Sequence, residues 1–319
     1  MNKTAFIFPG QGAQYAGMGK DFYENFKESR EIFQKSNEAL GFDITGLCFD
    51  GPDEELSITK ITQPALLTVC MAIFEALREH LNMDNSVSRE SFCMGGLSLG
   101  EYSALTASGS VDFETAVKLV YNRGNYMQSA VPLGQGGMLA LMGCTAEDAK
   151  NFCRAVTEEF GLLESANFNC PGQIVVGGES RAIEKALEQT ARFNIRKAVR
   201  LQVSAPFHTS MLKPAGAKLR EDLDKTEFRK PSCNVISNVD AEYYLSAADI
   251  AEKLEKQVYS PVRWEDCVRK MIADGVDTFV EIGPGKSLTS FIKKTDKSVT
   301  SINISSVASM EEYINSQPS

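Results

Sequence analysis

The stretch GGLSLGEYS, Gly95 to Ser103, sets one serine, Ser98, between glycines at 96 and 100. Gly96-Leu97-Ser98-Leu99-Gly100 fits G-x-S-x-G, the pattern of a sharp strand-to-helix turn that presents a serine hydroxyl. Such a turn forces the serine into strained dihedrals and brings its flanking positions against neighbouring backbone, where only glycine fits. The alternative reading is a glycine-rich turn with a bystander serine. Context separates the two, because the motif needs a strand before it and a helix after it. Residues 91–94 read as a short strand and 101–108 as a helix ending near Gly109. Ser98 then stands at a helix N-terminus, where the dipole and free amides favour a developing negative charge.

A serine hydroxyl needs a base, and the chain has only two histidines. His80 ends a long helical pattern in Arg-Glu-His-Leu-Asn and reads as a solvated residue. His208, in Val-Ser-Ala-Pro-Phe-His-Thr-Ser, follows a strand and precedes a helix. That places it on a loop at a sheet edge, where α/β proteins keep their chemistry. Alone it reads as a packed histidine; beside an elbow serine it becomes the favoured base, a role that supplies a factor of about 10²–10⁴. No acidic residue stands out as a third member, so a backbone carbonyl remains an alternative support for the imidazole.

Outward from the elbow, strands and helices alternate. Residues 5–8 read as a buried strand running into Pro-Gly, and 61–80 as a helix with Pro64 in its first turn. A helix follows at 113–130. Next comes a compact series: strand 138–142, helix 145–160 with Thr145 and Asp148 spaced as a cap, strands 162–168 and 173–176 joined by Asn-Cys-Pro-Gly, helix 180–193 and strand 199–203. This is a βαββαβ order. Beyond it lie helix 211–226, strand 234–237, helices 250–257 and 264–274, strand 278–282 and a helix from Lys286; residues 315–319 read as a frayed tail. The expected fold is α/β, a mostly parallel sheet covered by helices with a small inserted domain. The boundaries are 1–131 and 205–319 for the large domain and 132–204 for the small one, with Gly134-Gln-Gly-Gly as the hinge.

The chain has 319 residues, 43% hydrophobic and 24% charged, a globular composition. A formal charge of −9 argues against broad nucleic-acid or anionic-membrane binding. The N-terminal apolar run stops at Pro9, too early for a signal peptide. No stretch reads as a spanning helix of roughly 18 apolar residues, so the expectation is a cytoplasmic protein. Eight cysteines, none paired as CxxC, predict reduced buried thiols and no metal site. Gly285-Lys286-Ser287 ends like a phosphate loop, but Val280 stands where the pattern needs glycine.

Nine segments now align with one known family: Phe8-Pro-Gly-Gln-Gly-Ala-Gln, Thr62-Gln-Pro-Ala-Leu-Leu-Thr, GLSLGEYSAL, Tyr-Asn-Arg123-Gly, Asn167-Phe-Asn-Cys-Pro-Gly-Gln, Ala205-Pro-Phe-His, Ser237-Asn-Val-Asp, Tyr259-Ser-Pro-Val-Arg-Trp and Glu281-Ile-Gly-Pro-Gly. In this order they resemble the bacterial malonyl-CoA:acyl-carrier-protein transacylases, which are similar to polyketide synthase acyltransferase domains. The resemblance spans almost the whole chain. It implies a hydrolase-like α/β domain with a ferredoxin-like insertion. It implies that Ser98 is acylated by malonyl-CoA and that His208 takes its proton and later activates the phosphopantetheine thiol of acyl carrier protein. It further implies an oxyanion hole from the backbone N–H groups of Gln11 and Leu99, Arg123 on the malonyl carboxylate, and the Gln257 carbonyl orienting His208. No tightly bound cofactor is implied; the coenzyme A thioester and the carrier phosphopantetheine are substrates.

Arg123 suits its implied role chemically, since a carboxylate entering a dry site needs a paired charge and guanidinium offers a planar fork that stays protonated. From helix position alone it reads as a surface arginine. The sequence departs from the family at Leu97, where a histidine usually precedes the nucleophile. Phe207 before the histidine, together with Leu97 and Leu99, bears on acyl selection; excluding one methyl branch is worth about 1–3 kcal/mol. Arg196, Lys197, Lys286, Lys293 and Lys294 are the basic candidates for docking an acidic carrier. The rival readings are a trans-acting polyketide acyltransferase, a hydrolase stripping acyl groups from carriers with the same Ser/His dyad, and a non-catalytic docking module.

Overall fold

Alternating apolar and β-branched runs give nine strands among the residues described, which are 3–82, 92–203 and 205–317 of this computed structural model. In chain order they are β1 (Lys3–Phe8), β2 (Phe92–Gly96), β3 (Gly136–Met142), β4 (Leu163–Cys170), β5 (Gln173–Glu179), β6 (Lys197–Arg200), β7 (Asn234–Val235), β8 (Val276–Ile282) and β9 (Thr300–Ile304). One sheet runs β7-β2-β1-β8-β9 with every neighbour parallel. Its central strands are buried on both faces, as parallel strands under helices must be. The second sheet runs β4-β5-β3-β6 and is antiparallel. Its order is that of the expected ferredoxin-like βαββαβ unit, with helices Ala146–Phe160 and Ser180–Gln189 packed on one face.

Several elements differ from the sequence reading. The long helix spans Thr59–His80, so Pro64 sits in its second turn rather than its first. There its ring removes one N–H, and Thr68 Oγ1 donates to the Pro64 carbonyl at 2.7 Å. This helix is long and apolar enough to cross a membrane, contrary to the expectation that no such stretch exists, but 83% of its apolar window is buried in the protein. The last strand of the small sheet is Lys197–Arg200, not 199–203; the Leu201 N–H still donates to the Met138 carbonyl at 3.0 Å, and Leu201 and Val203 line a cleft. Of the expected hinge residues, Gly136 and Gly137 begin β3, and Gly134 takes a positive φ of 83° in the turn before it. Residue 91 of the expected elbow strand, residue 204 at the expected domain boundary and residues 318–319 of the tail lie outside the described residues.

Two parallel strands, β1 and β2, lie side by side in register from Thr4–Phe92 to Phe8–Gly96. Their carboxyl ends are where an open parallel sheet places ligands. β2 turns sharply into helix Leu99–Ala107. A Cβ on Gly96 would come within 2.1 Å of the Gly100 carbonyl carbon, and one on Gly100 within 2.0 Å of the Phe8 carbonyl oxygen. All those neighbours are backbone, so nothing can give way. Gly100→Ala is therefore expected to cost about 3 kcal/mol or more. Urea unfolding would measure this, and a midpoint like that of the wild type would refute the packing account.

Candidate active site

Ser98 occupies the turn with φ 54° and ψ −99°, a backbone conformation that costs a non-glycine residue energy and is held only by its surroundings. The holding group is Asn238: its Oδ1 accepts from the Ser98 N–H at 2.6 Å, and its Nδ2 donates to the Gly96 carbonyl at 2.8 Å. Leu99 is the first residue of the helix, so its N–H has no carbonyl one turn earlier to meet.

His208 also carries a positive φ, 60°, on the loop after the small sheet. Its Nε2 lies 2.8 Å from Ser98 Oγ, and its Nδ1 lies 2.7 Å from the Gln257 carbonyl oxygen. A carbonyl can only accept, so Nδ1 carries the proton and Nε2 presents its lone pair to the hydroxyl. The loop is tied down by Glu164, which accepts from the Ser210 N–H at 2.6 Å and its hydroxyl at 2.9 Å. Burial, reinforced by the nearby Arg123 charge, pulls the imidazole pKa down to about 3, so the ring is neutral and able to take a proton.

Arg123, from helix Phe113–Ser129, is 1% exposed. Its Nη1 donates to Gln63 Oε1 at 2.8 Å, and its Nη2 donates to Gln257 Oε1 at 2.8 Å and to Ser98 Oγ at 3.0 Å. Its guanidinium also lies over the Tyr102 ring, 5.2 Å from the centroid. Nε makes no hydrogen bond among the described residues, and Arg123 forms no direct ion pair there. Burial lowers its pKa from the ordinary value, with Tyr102 and Glu101 acting in the opposite direction. Glu101 itself is fully buried, and burial pushes its carboxyl up to about 7 against the hydrogen bonds it accepts.

These groups open on a cleft of about 340 Å³ between the two sheets. Gln11, Leu97, Leu99 and Phe207 line it, together with Met138 and Asn169 from the small sheet. Thus Ser98, His208, Arg123, Gln11, Leu99, Phe207 and Leu97 share one cavity, and Gln257 reaches it from behind through both its carbonyl and its side chain. His80 lies elsewhere, its Nδ1 on the Ala76 carbonyl at 2.8 Å and its ring edge-to-face with Phe26. Arg196, Lys197, Lys286, Lys293 and Lys294 are exposed, and Lys286 and Lys294 adjoin cleft residues Ser287 and Gln173. Seven of the eight cysteines are buried, and Cys233 is partly exposed. Among the described residues no cluster could hold a metal ion.

Sequence reasoning missed Gln63, Glu101, Asn238 and the Gln257 side chain. Two carried a signal: Gln63 sits in an apolar helix just before Pro64, and Glu101 is the lone charge in LGEYSALTA.

Residues 5–317 match the acyl transferase domain model. The malonyl CoA-acyl carrier protein transacylase of Bacillus subtilis (strain 168) is 44% identical over 98% of this chain and 96% of its own length. The crystal structure of the Clostridium perfringens transacylase of the same name is 48% identical, with a TM-score of 0.91 over 98% of this chain and 96% of that one. A malonyl-transacylase in complex with its type II PKS acyl-carrier protein is 36% identical, with a TM-score of 0.93 over 99% of this chain and all of that one.

The depressed imidazole pKa gives an expected pH profile. Protonated His208 cannot accept the Ser98 proton, so reactivity is lost only as pH falls through the folded value. The rate of Ser98 labelling by a fluorophosphonate should be flat from pH 8 to 5 in the free enzyme. A half-maximal point above pH 6 would contradict the burial argument.

Proposed function

The chain belongs to the acyl transferase domain family, and we propose that it carries malonyl from malonyl-CoA to the phosphopantetheine thiol of acyl carrier protein through a malonyl ester on Ser98. His208 Nε2 takes the hydroxyl proton as Ser98 Oγ attacks the thioester carbonyl. The oxyanion forms toward the N–H groups of Gln11 and Leu99, each such donor being worth about 2.7–4 kcal/mol in comparable sites. Collapse breaks the carbon–sulfur bond, and the imidazolium returns its proton to the departing CoA thiolate. In the second half His208 deprotonates the carrier thiol, which attacks the ester and releases Ser98 with its proton restored.

The observation that carries this reading is a buried guanidinium with neutral hydrogen-bond partners, 3.0 Å from the nucleophile. A malonyl group esterified at Oγ brings its free carboxylate to that neighbourhood. A hydrolase of neutral acyl groups has no use for such a cation, whose burial is costly. Phe207, Leu97 and Leu99 form the wall against which a methyl branch on the malonyl carbon would press. Lys286 and Lys294 at the rim are the proposed contacts for the acidic carrier, with Arg196, Lys197 and Lys293 around them. We assign residues 132–204 as a small domain over a large one of 1–131 and 205–319, a cytoplasmic location, and no bound cofactor beyond the two thiol substrates.

Incubation with malonyl-CoA followed by intact-mass measurement tests the nucleophile: Ser98→Ala should gain no malonyl mass, and a retained adduct would exclude Ser98. Arg123→Ala should lower malonyl loading by about two to three orders of magnitude, the cost of losing one partner of a buried charge pair. Acetyl loading should fall far less. Equal losses for the two acyl groups would remove the carboxylate role.

A further inference from the structure

Glu101 is the carboxyl group that this reaction does not use. It is fully buried on the first turn of the elbow helix and does not line the cleft. Its Oε2 accepts from the Asn238 N–H at 3.0 Å and from Gln257 Nε2 at 2.6 Å, and its Oε1 accepts from the Tyr244 hydroxyl. Resting on the reading of Arg123 above, we propose that Glu101 is the positioning residue that orients the Gln257 amide toward Arg123 and anchors Asn238 beneath Ser98.

The argument turns on the two unlike ends of a primary amide. Gln257 presents its NH₂ to Glu101 Oε2, the oxygen that also accepts from the Asn238 N–H and so serves as the acceptor of the pair. The same NH₂ also donates to the Ser98 carbonyl at 3.0 Å. Its oxygen is thereby turned toward Arg123 Nη2, at 2.8 Å. With the amide reversed, two donors would face each other at the guanidinium, and Arg123 would lose its rest position. The second arm runs through the Asn238 backbone. Glu101 fixes that peptide, and the Asn238 side chain then holds the Ser98 N–H and the Gly96 carbonyl. Gln257 also supplies the carbonyl on His208 Nδ1. One carboxylate thus stands behind hydroxyl, imidazole and guanidinium without touching any of them. Glu101 is also an acidic side chain that bears on the Arg123 charge, through one intervening amide.

The test compares malonyl with acetyl loading, because only malonyl needs the guanidinium. Glu101→Met removes every acceptor at similar length. It should lower the malonyl-to-acetyl rate ratio at least tenfold, toward that of Arg123→Ala. Glu101→Gln keeps a carbonyl for Gln257 and Asn238 and can turn its NH₂ to Tyr244, so it should recover most of that ratio. Gln257→Met, which keeps the backbone carbonyl on His208, should lower the ratio as Glu101→Met does and serves if that variant does not fold. An unchanged ratio, with both acyl groups slowed equally or neither slowed, would overturn the proposal. Failure of both methionine variants to fold would also overturn it, leaving Glu101 a purely structural role. If Arg123→Ala itself leaves the ratio unchanged, the carboxylate reading fails and takes this proposal with it; if Arg123→Ala lowers the ratio and Glu101→Met does not, this proposal alone fails.

Discussion

A guanidinium buried at 1% exposure is the constraint around which the site is arranged. Removing such a charge from water costs several kcal/mol unless polar groups replace the lost hydration. Here the replacements are two glutamine oxygens, a serine hydroxyl and the face of a tyrosine ring. All are neutral. An ion pair would stabilise the cation more, but it would also occupy the place of an anionic substrate. The arrangement keeps the charge bound yet uncommitted, with Nε lacking a partner among the described residues. That is the condition under which a carboxylate can enter a dry cleft and gain more than it loses.

The same cation bears on both members of the Ser98–His208 pair. Its field disfavours imidazolium at His208, which keeps Nε2 free to accept. Its Nη2 also donates to Ser98 Oγ, so the hydroxyl accepts from Arg123 while its own hydrogen points at His208. A serine hydroxyl has one hydrogen to give, and the guanidinium and the imidazole together leave it one direction in which to give it. The Gln257 carbonyl fixes the other end of the ring. No carboxylate is needed behind the histidine for this, since the work of selecting a tautomer requires only an acceptor.

What could be read in advance followed from steric and covalent rules. The elbow was legible because only glycine fits where backbone approaches within 2.0–2.1 Å of a Cβ position, and that demand leaves a fixed spacing in the chain. The βαββαβ insertion was legible from its periodicity and from the Thr145–Asp148 cap, which forms as spaced. Strand ends were less so: Leu201 and Val203 are apolar for the sake of the cleft, and an apolar run alone does not say which surface it serves. Proline is cheapest in a first turn, which places a helix start near residue 61, yet the helix begins at Thr59 and Pro64 falls in its second turn. The polar network was the least legible part. Asn238 and Gln257 each act through two side-chain atoms, across more than 130 residues of chain, and no local pattern encodes that. The Gln257 carbonyl carries no residue identity at all, so its role came only from the family resemblance.

Leu97 shows how the site divides its labour. This residue precedes the nucleophile, packs with the Trp264–Leu288 cluster and lines the cleft. Nothing in the hydrogen-bond network passes through its side chain: the serine N–H is held by Asn238, the imidazole by a carbonyl, the guanidinium by two amides. An apolar residue can therefore stand beside the nucleophile, where the family resemblance implies histidine, without unseating any of the groups around it. What it changes is the wall. It adds hydrocarbon beside Leu99 and Phe207, a side chain with neither donor nor acceptor to offer water. Excluding water by an apolar wall while gathering charge on a single buried cation is how this cleft would favour a carrier thiol over hydrolysis.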